Sequence, residues 1–81
     1  MDGNQKRAED LKLRRLRLMV DMTLSLLIQV PMTRGKAEEM VESLRFSVLR
    51  MFPGKEKTWE IIYAPRFQRI IGERWGKKLD G

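Results

Sequence analysis

Residues Leu18–Val30 (LMVDMTLSLLIQV) constrain this chain more than any other stretch, because nine of the thirteen side chains are apolar. Pro31 follows at once. It has no N–H to donate and disfavours helical geometry at Val30, so a helix through this stretch should stop there. Three of the four polar residues, Asp21, Ser25 and Gln29, recur every fourth position and form one narrow stripe on a helix. Thr23 falls among the apolar residues, where its hydroxyl can bond a carbonyl one turn back. A helix apolar over most of its circumference is expected to be covered on most sides.

An 81-residue chain supplies little to do the covering. It makes one domain, residues 1–81, and buries only about 60–65% of its unfolded surface, so a single core is marginal. Small domains compensate with disulfides, metals or partner chains. The sequence has no Cys and no His. That excludes disulfides, thiolate chemistry and ordinary zinc or haem ligation, and removes the usual general base near neutral pH. Of the standard supports, oligomerisation is left, with a dimer as the simplest case, and no cofactor is expected. The lack of Cys fits a reducing cytoplasm. Lys12–Arg17 (KLRRLR) ahead of an apolar run looks superficially like a secretory leader. Asp21 interrupts the run, Pro31 ends it and no small-residue cleavage site follows. Thirteen residues are also too few to span a bilayer. A cytoplasmic chain is the expectation.

In chain order, residues 1–4 read as a loose tail and helix 1 runs from about residue 5 to 30. Its front half has strong helix formers and opposite charges at helical spacing: Asp10 with Arg14, and Lys6 with Glu9 and Asp10. Those front turns should lie nearer solvent than the apolar back turns. The short link after Pro31 folds helix 2 back beside helix 1. Thr33 is placed to cap helix 2, which runs from about residue 36 to 51. Ala37, Met40, Val41, Leu44, Val48 and Met51 follow one helical face, and Phe46 and Leu49 widen it beyond a single stripe. Glu42 with Arg45 should help this helix, whereas Glu38 with Glu42 repels.

Pro53-Gly54 makes a turn. Residues 58–64 (TWEIIYA) support two readings. Alternation of Trp59, Ile61 and Tyr63 reads as a strand, while Trp59, Ile62 and Tyr63 read as a helical turn capped by Thr58. The helical reading is preferred, because a lone strand would find no partner inside the chain. Pro65 suits the first turn of a third helix, from about residue 65 to 75, and Gly76 is placed to end it. Residues 77–81 read as a loose basic tail.

The sequence therefore predicts an all-α fold: an antiparallel helical hairpin plus a C-terminal helix, completed by oligomerisation into a helical bundle. Leu16, Met19, Val20, Leu27, Val41, Leu44 and Val48 are expected inside. Phe46 and Leu49 join them as core or oligomer contacts.

The net charge of +6, from 17 basic and 11 acidic residues, permits nucleic-acid binding without requiring it. Near the C-terminus, basic residues interleave with Tyr63, Phe67 and Trp75. Basic side chains neutralise phosphates and aromatic faces stack on unpaired bases, so Arg66, Arg69, Arg74, Lys77 and Lys78 are the candidate phosphate contacts. The competing reading places the aromatics in the core and leaves the arginines as a solvated face, as their helical spacing suggests. Lys12, Arg14, Arg15 and Arg17 could grip phosphate or lie on a membrane, but Glu9, Asp10 and Asp21 lie among them, so an anionic membrane is not the expected partner. Thr33, Arg34 and Lys36 at a helix start weakly resemble a helix-turn-helix, against which Glu38, Glu39 and Glu42 would face phosphates. Asp21 is a catalytic candidate only if buried, and Arg17 is its natural ion-pair partner. No nucleophile–base pair, metal-ligand cluster or Gly-rich phosphate loop is present in the sequence. The expected role is non-catalytic: interaction or scaffolding through self-association, with a small nucleic-acid-binding protein as the alternative.

Overall fold

A computed structural model describes the backbone of residues 2–76 and the side chains of residues 7–76. All the regular structure among them is helical: α1 (Asp2–Gln29), α2 (Arg34–Met51), α3 (Glu56–Thr58), a π-helical turn (Trp59–Tyr63) and α4 (Ala64–Trp75). α1 and α2 form the expected antiparallel hairpin, and α4 packs against both. The two expected loose tails, apart from residues 2–4, lie outside the described residues. Residues 2–4 are already helical, so α1 begins earlier than the composition suggested.

The punctuation follows local chemistry. α1 ends one residue before Val30, whose N–H still reaches the Leu26 carbonyl at 3.0 Å. Thr33 caps α2, its hydroxyl accepting from the Lys36 N–H at 3.1 Å. This occupies one of the four N–H groups that a helix start leaves unpaired. Gly54 (φ +81) turns the chain after α2, and Gly76 (φ +83) ends α4.

Residues 58–64 are helical, not a strand, and their helix starts earlier than expected. The charged residues before Thr58 already belong to α3, and Thr58 makes no side-chain cap. α3, the π turn and α4 follow without a gap. Pro65 therefore sits inside a continuous helical rod, where a regular α-turn would press its ring on the carbonyl four residues back. The rod widens immediately before it: the Ala64 N–H bonds the Trp59 carbonyl, five residues back. A π turn of this kind is a usual way for a helix to absorb such a defect.

The core contains Leu16, Val20 and Leu27 from α1, Ala37, Leu44 and Val48 from α2, and Trp59, Phe67 and Ile71 from the third rod. Trp59 stacks on both Tyr63 and Phe67, with ring centroids 5.6 and 5.8 Å apart. Three bonds stitch the end of α4 to the α1–α2 turn. Arg74 donates to the Leu27 carbonyl, the Trp75 indole donates to the Met32 carbonyl at 2.9 Å, and Arg34 donates to the Gly76 carbonyl. Arg74 thus puts a cation on a carbonyl that the end of α1 leaves open.

One expectation fails within a single chain. The Leu18–Val30 stretch is not covered on most sides. Asp21, Ser25 and Gln29 are exposed, as their stripe implies, but so are Leu18, Met22, Leu26 and Ile28. Among the described residues, α2 and α4 both pack against the side of α1 that carries Leu16, Val20 and Leu27; Met22 and Leu26 lie toward the edge of α2 and Ile28 toward the edge of α4, and none of the four is covered. Of the ion pairs expected on helix 1, Asp10–Arg14 and Arg17–Asp21 do not form among the described residues, and the Lys6 side chain, expected opposite Glu9 and Asp10, lies outside them. The ion pairs found among the described residues, Arg34–Glu38, Lys36–Glu39 and Arg45–Glu42, all lie on α2. Exposed pairs on a helix gain little against solvent, so Asp10–Arg14 and Arg17–Asp21 have little to hold them.

Candidate interaction surface

Leu11, Arg15, Leu18, Met22 and Leu26 follow one another along α1 at steps of four, three, four and four residues. Such steps keep all five on one side of a helix, here the side turned away from the core. Leu18 is 63% exposed, Met22 61%, Leu11 58% and Leu26 39%. Arg15 is the one charge in the row. Scattered apolar residues on a surface are ordinary, whereas a contiguous apolar row is a candidate contact surface.

The row borders a groove of about 340 Å³ between α1 and α2. Met19, Met22 and Leu26 line it from α1, and Met40 and Leu44 from α2, with Lys36, Glu39, Ser43 and Ser47 alongside. Methionine side chains are unbranched and polarisable, and they fit irregular apolar partners readily. Lys36 meets Glu39 only at 3.9 Å, and both side chains are largely solvated.

Of the nine residues expected as core or oligomer contacts, Leu16, Val20, Leu27, Leu44 and Val48 are buried within the chain. Met19, Val41 and Leu49 are half-buried, and Phe46 is 65% exposed. Phe46 stands away from the groove, so an aromatic side chain is left in water by this chain alone. Sequence reasoning missed the outer row on α1, because it treated that helix as enclosed. Its core list also omitted Trp59 and Ile71, whereas Phe67 is buried as in the reading that placed the C-terminal aromatics in the core and left the arginines solvated. The signal for them was a repeat of aromatic and apolar residues every four positions, Trp59, Tyr63, Phe67, Ile71 and Trp75. On a regular helix such a repeat drifts by about 40° per step, and the π turn interrupts that drift.

The basic C-terminal constellation is only partly assembled. Arg66 and Arg69 are exposed on α4. Arg74 is engaged with the Leu27 carbonyl and lies 4.9 Å over the Trp75 ring. Lys77 and Lys78 lie outside the described residues. Phe67 is fully buried, so it offers no face to a base. Lys12, Arg14, Arg15 and Arg17 are exposed, with Lys12 5.9 Å over the Phe52 ring. Asp21 is exposed, which removes the reason for reading it as a buried catalytic carboxylate. At the Pro31–Lys36 turn, Arg34 is held by Glu38 and by the Gly76 carbonyl. Among the described residues, no helix is long and apolar enough to cross a membrane.

Comparison with protein-family models, with curated proteins and with solved structures finds no match to this chain.

Proposed function

We propose that this protein is a non-catalytic helical interaction module that acts by self-association, the outer side of α1 being the contact surface. The observation that carries the reading is the row Leu11, Leu18, Met22 and Leu26, exposed beside a largely apolar groove and covered by none of the described residues. Two chains packed through α1 would complete a helical bundle and remove this row from water, and an interface of the same patch on both partners is the commonest closed assembly. The chemistry of the groove is apolar adhesion with a polar edge, not catalysis.

A second reading, a small basic nucleic-acid-binding protein, draws on Arg66 and Arg69, which are exposed three residues apart and take part in none of the ion pairs found among the described residues. Light-scattering mass, measured with and without mixed RNA and DNA, separates the two. Self-association gives a mass of twice 9.6 kDa that hardly changes with salt. Phosphate binding gives a nucleic-acid complex that weakens by roughly 10³-fold or more between 50 and 200 mM salt, for six or more phosphate contacts. A monomer that binds nucleic acid in this way would replace the first reading with the second.

A further inference from the structure

Resting on the self-association reading, we infer that two copies pair antiparallel through α1, each copy's α1 entering the other's α1–α2 groove, and that Arg15 of each copy meets Glu39 of the other. Arg15 is the one charge in an otherwise apolar row. Arg15 lies between Leu11 and Leu18, so any partner that covers the row must also accept a guanidinium. A cation carried into an apolar contact without an anion to meet it weakens that contact strongly.

The groove supplies the anion. Glu39 borders it on α2, with Met22 and Leu26 across from it on α1. Its only ion pair among the described residues is the loose 3.9 Å approach of Lys36, so the carboxylate has capacity for a second donor. Two-fold pairing with the axis on the outer side of α1, at the level of Val20 along the helix, puts Leu18 of each copy against Met22 of the other. Arg15 then falls at the level of the second copy's Ser25, between Met22 and Leu26, where Glu39 borders the groove. Lys36 is also there, so the contact is a shared carboxylate between two cations rather than an isolated pair. Parallel pairing would instead set Arg15 beside Arg15, with like charges opposed at the centre of the contact.

The occupant is thus a second copy of this chain, chosen by charge complementarity between two positions on the same molecule. A two-fold contact requires such self-complementarity.

Arg15→Glu and Glu39→Arg test the register. Each single variant sets like charges opposite each other twice per dimer, so each should raise the dimer dissociation constant by about tenfold or more in sedimentation velocity. Both positions are exposed, and circular dichroism should show unchanged helix content. Mixing the two variants is the decisive step: a heterodimer of Arg15→Glu with Glu39→Arg restores an opposite-charge contact at both ends. Recovery of the mixture to within a few-fold of the unmodified protein is the expected result. Two weakened variants that do not recover on mixing would overturn the register while leaving self-association intact. An unmodified protein that stays monomeric, or a mass increase seen only with anionic vesicles, would overturn the reading on which the register rests.

Discussion

At the scale of single residues, the side chains that hold α4 in place are ones whose chemistry is hidden by their spacing. Arg74 and Trp75 look like the end of a basic, aromatic patch. Each instead gives an N–H to a backbone carbonyl, Arg74 to Leu27 in the last turn of α1 and Trp75 to Met32 in the link that follows. Trp75→Phe keeps most of the packing and strands the Met32 carbonyl, so it should cost about 1 kcal/mol of stability, read as a lower midpoint in urea unfolding. An unchanged midpoint would mean that water satisfies that carbonyl equally well. Gly35 is a simpler case. It lies in the first turn of α2, and an added Cβ would meet nothing within 4 Å. Gly35→Ala should therefore stabilise the protein by roughly 0.5 kcal/mol, since Ala loses less backbone freedom in a helix. Thermal denaturation of that variant checks it, and a lower midpoint would contradict the assigned geometry.

At the scale of elements, much was legible. The hairpin follows from Pro31 and the short link, the cap from Thr33, and the core side of α2 from the spacing of Ala37, Leu44 and Val48. The π turn was not legible as such. The Trp59–Trp75 repeat of four and the Pro65 it contains are both visible in the letters, but their joint solution depends on how a wide turn seats Trp59 against Phe67. The open side of α1 was misread for a different reason. Periodicity reports how much of a helix is apolar, and it does not report which neighbour will come to cover it.

The two sides of α1 make separate predictions. Leu27 is wholly buried inside one chain, so Leu27→Asp should unfold the protein, with a loss of 4 kcal/mol or more expected for a charge in a packed core (about the largest class of single-residue effects). Leu18 is mostly solvated in the single chain, so Leu18→Asp should leave the monomer's helix content unchanged and abolish association. Circular dichroism and mass, taken together on both variants, decide this. A Leu18→Asp protein that still dimerises would place the contact elsewhere, and Phe46 would be the next exposed apolar residue to test.

At the scale of the whole molecule, the chain leaves much of its surface open. It exposes 6474 Å², against roughly 5,100 Å² for a compact monomer of 9.6 kDa. Its radius of gyration is 14.7 Å, against about 12 Å for a compact domain of this length. The elongation has a clear source. α1 has 28 residues and α2 has 18, so the front of α1 runs on past its hairpin partner by about 15 Å, at 1.5 Å per residue. Residues 7–15, the described side chains of the front turns of α1, are all exposed. The proposed pairing along the longest helix would cover this surface, against a moderate repulsion from the net charge of +6.

The most direct test is the mass of the unmodified protein by sedimentation equilibrium, from low micromolar to about 100 micromolar, a range that brackets a complex of roughly 8 kcal/mol. The predicted result is a concentration-dependent rise to twice 9.6 kDa that persists at high salt. A mass of 9.6 kDa at every concentration, with a cooperative melt and no binding of a hydrophobic dye, would contradict it.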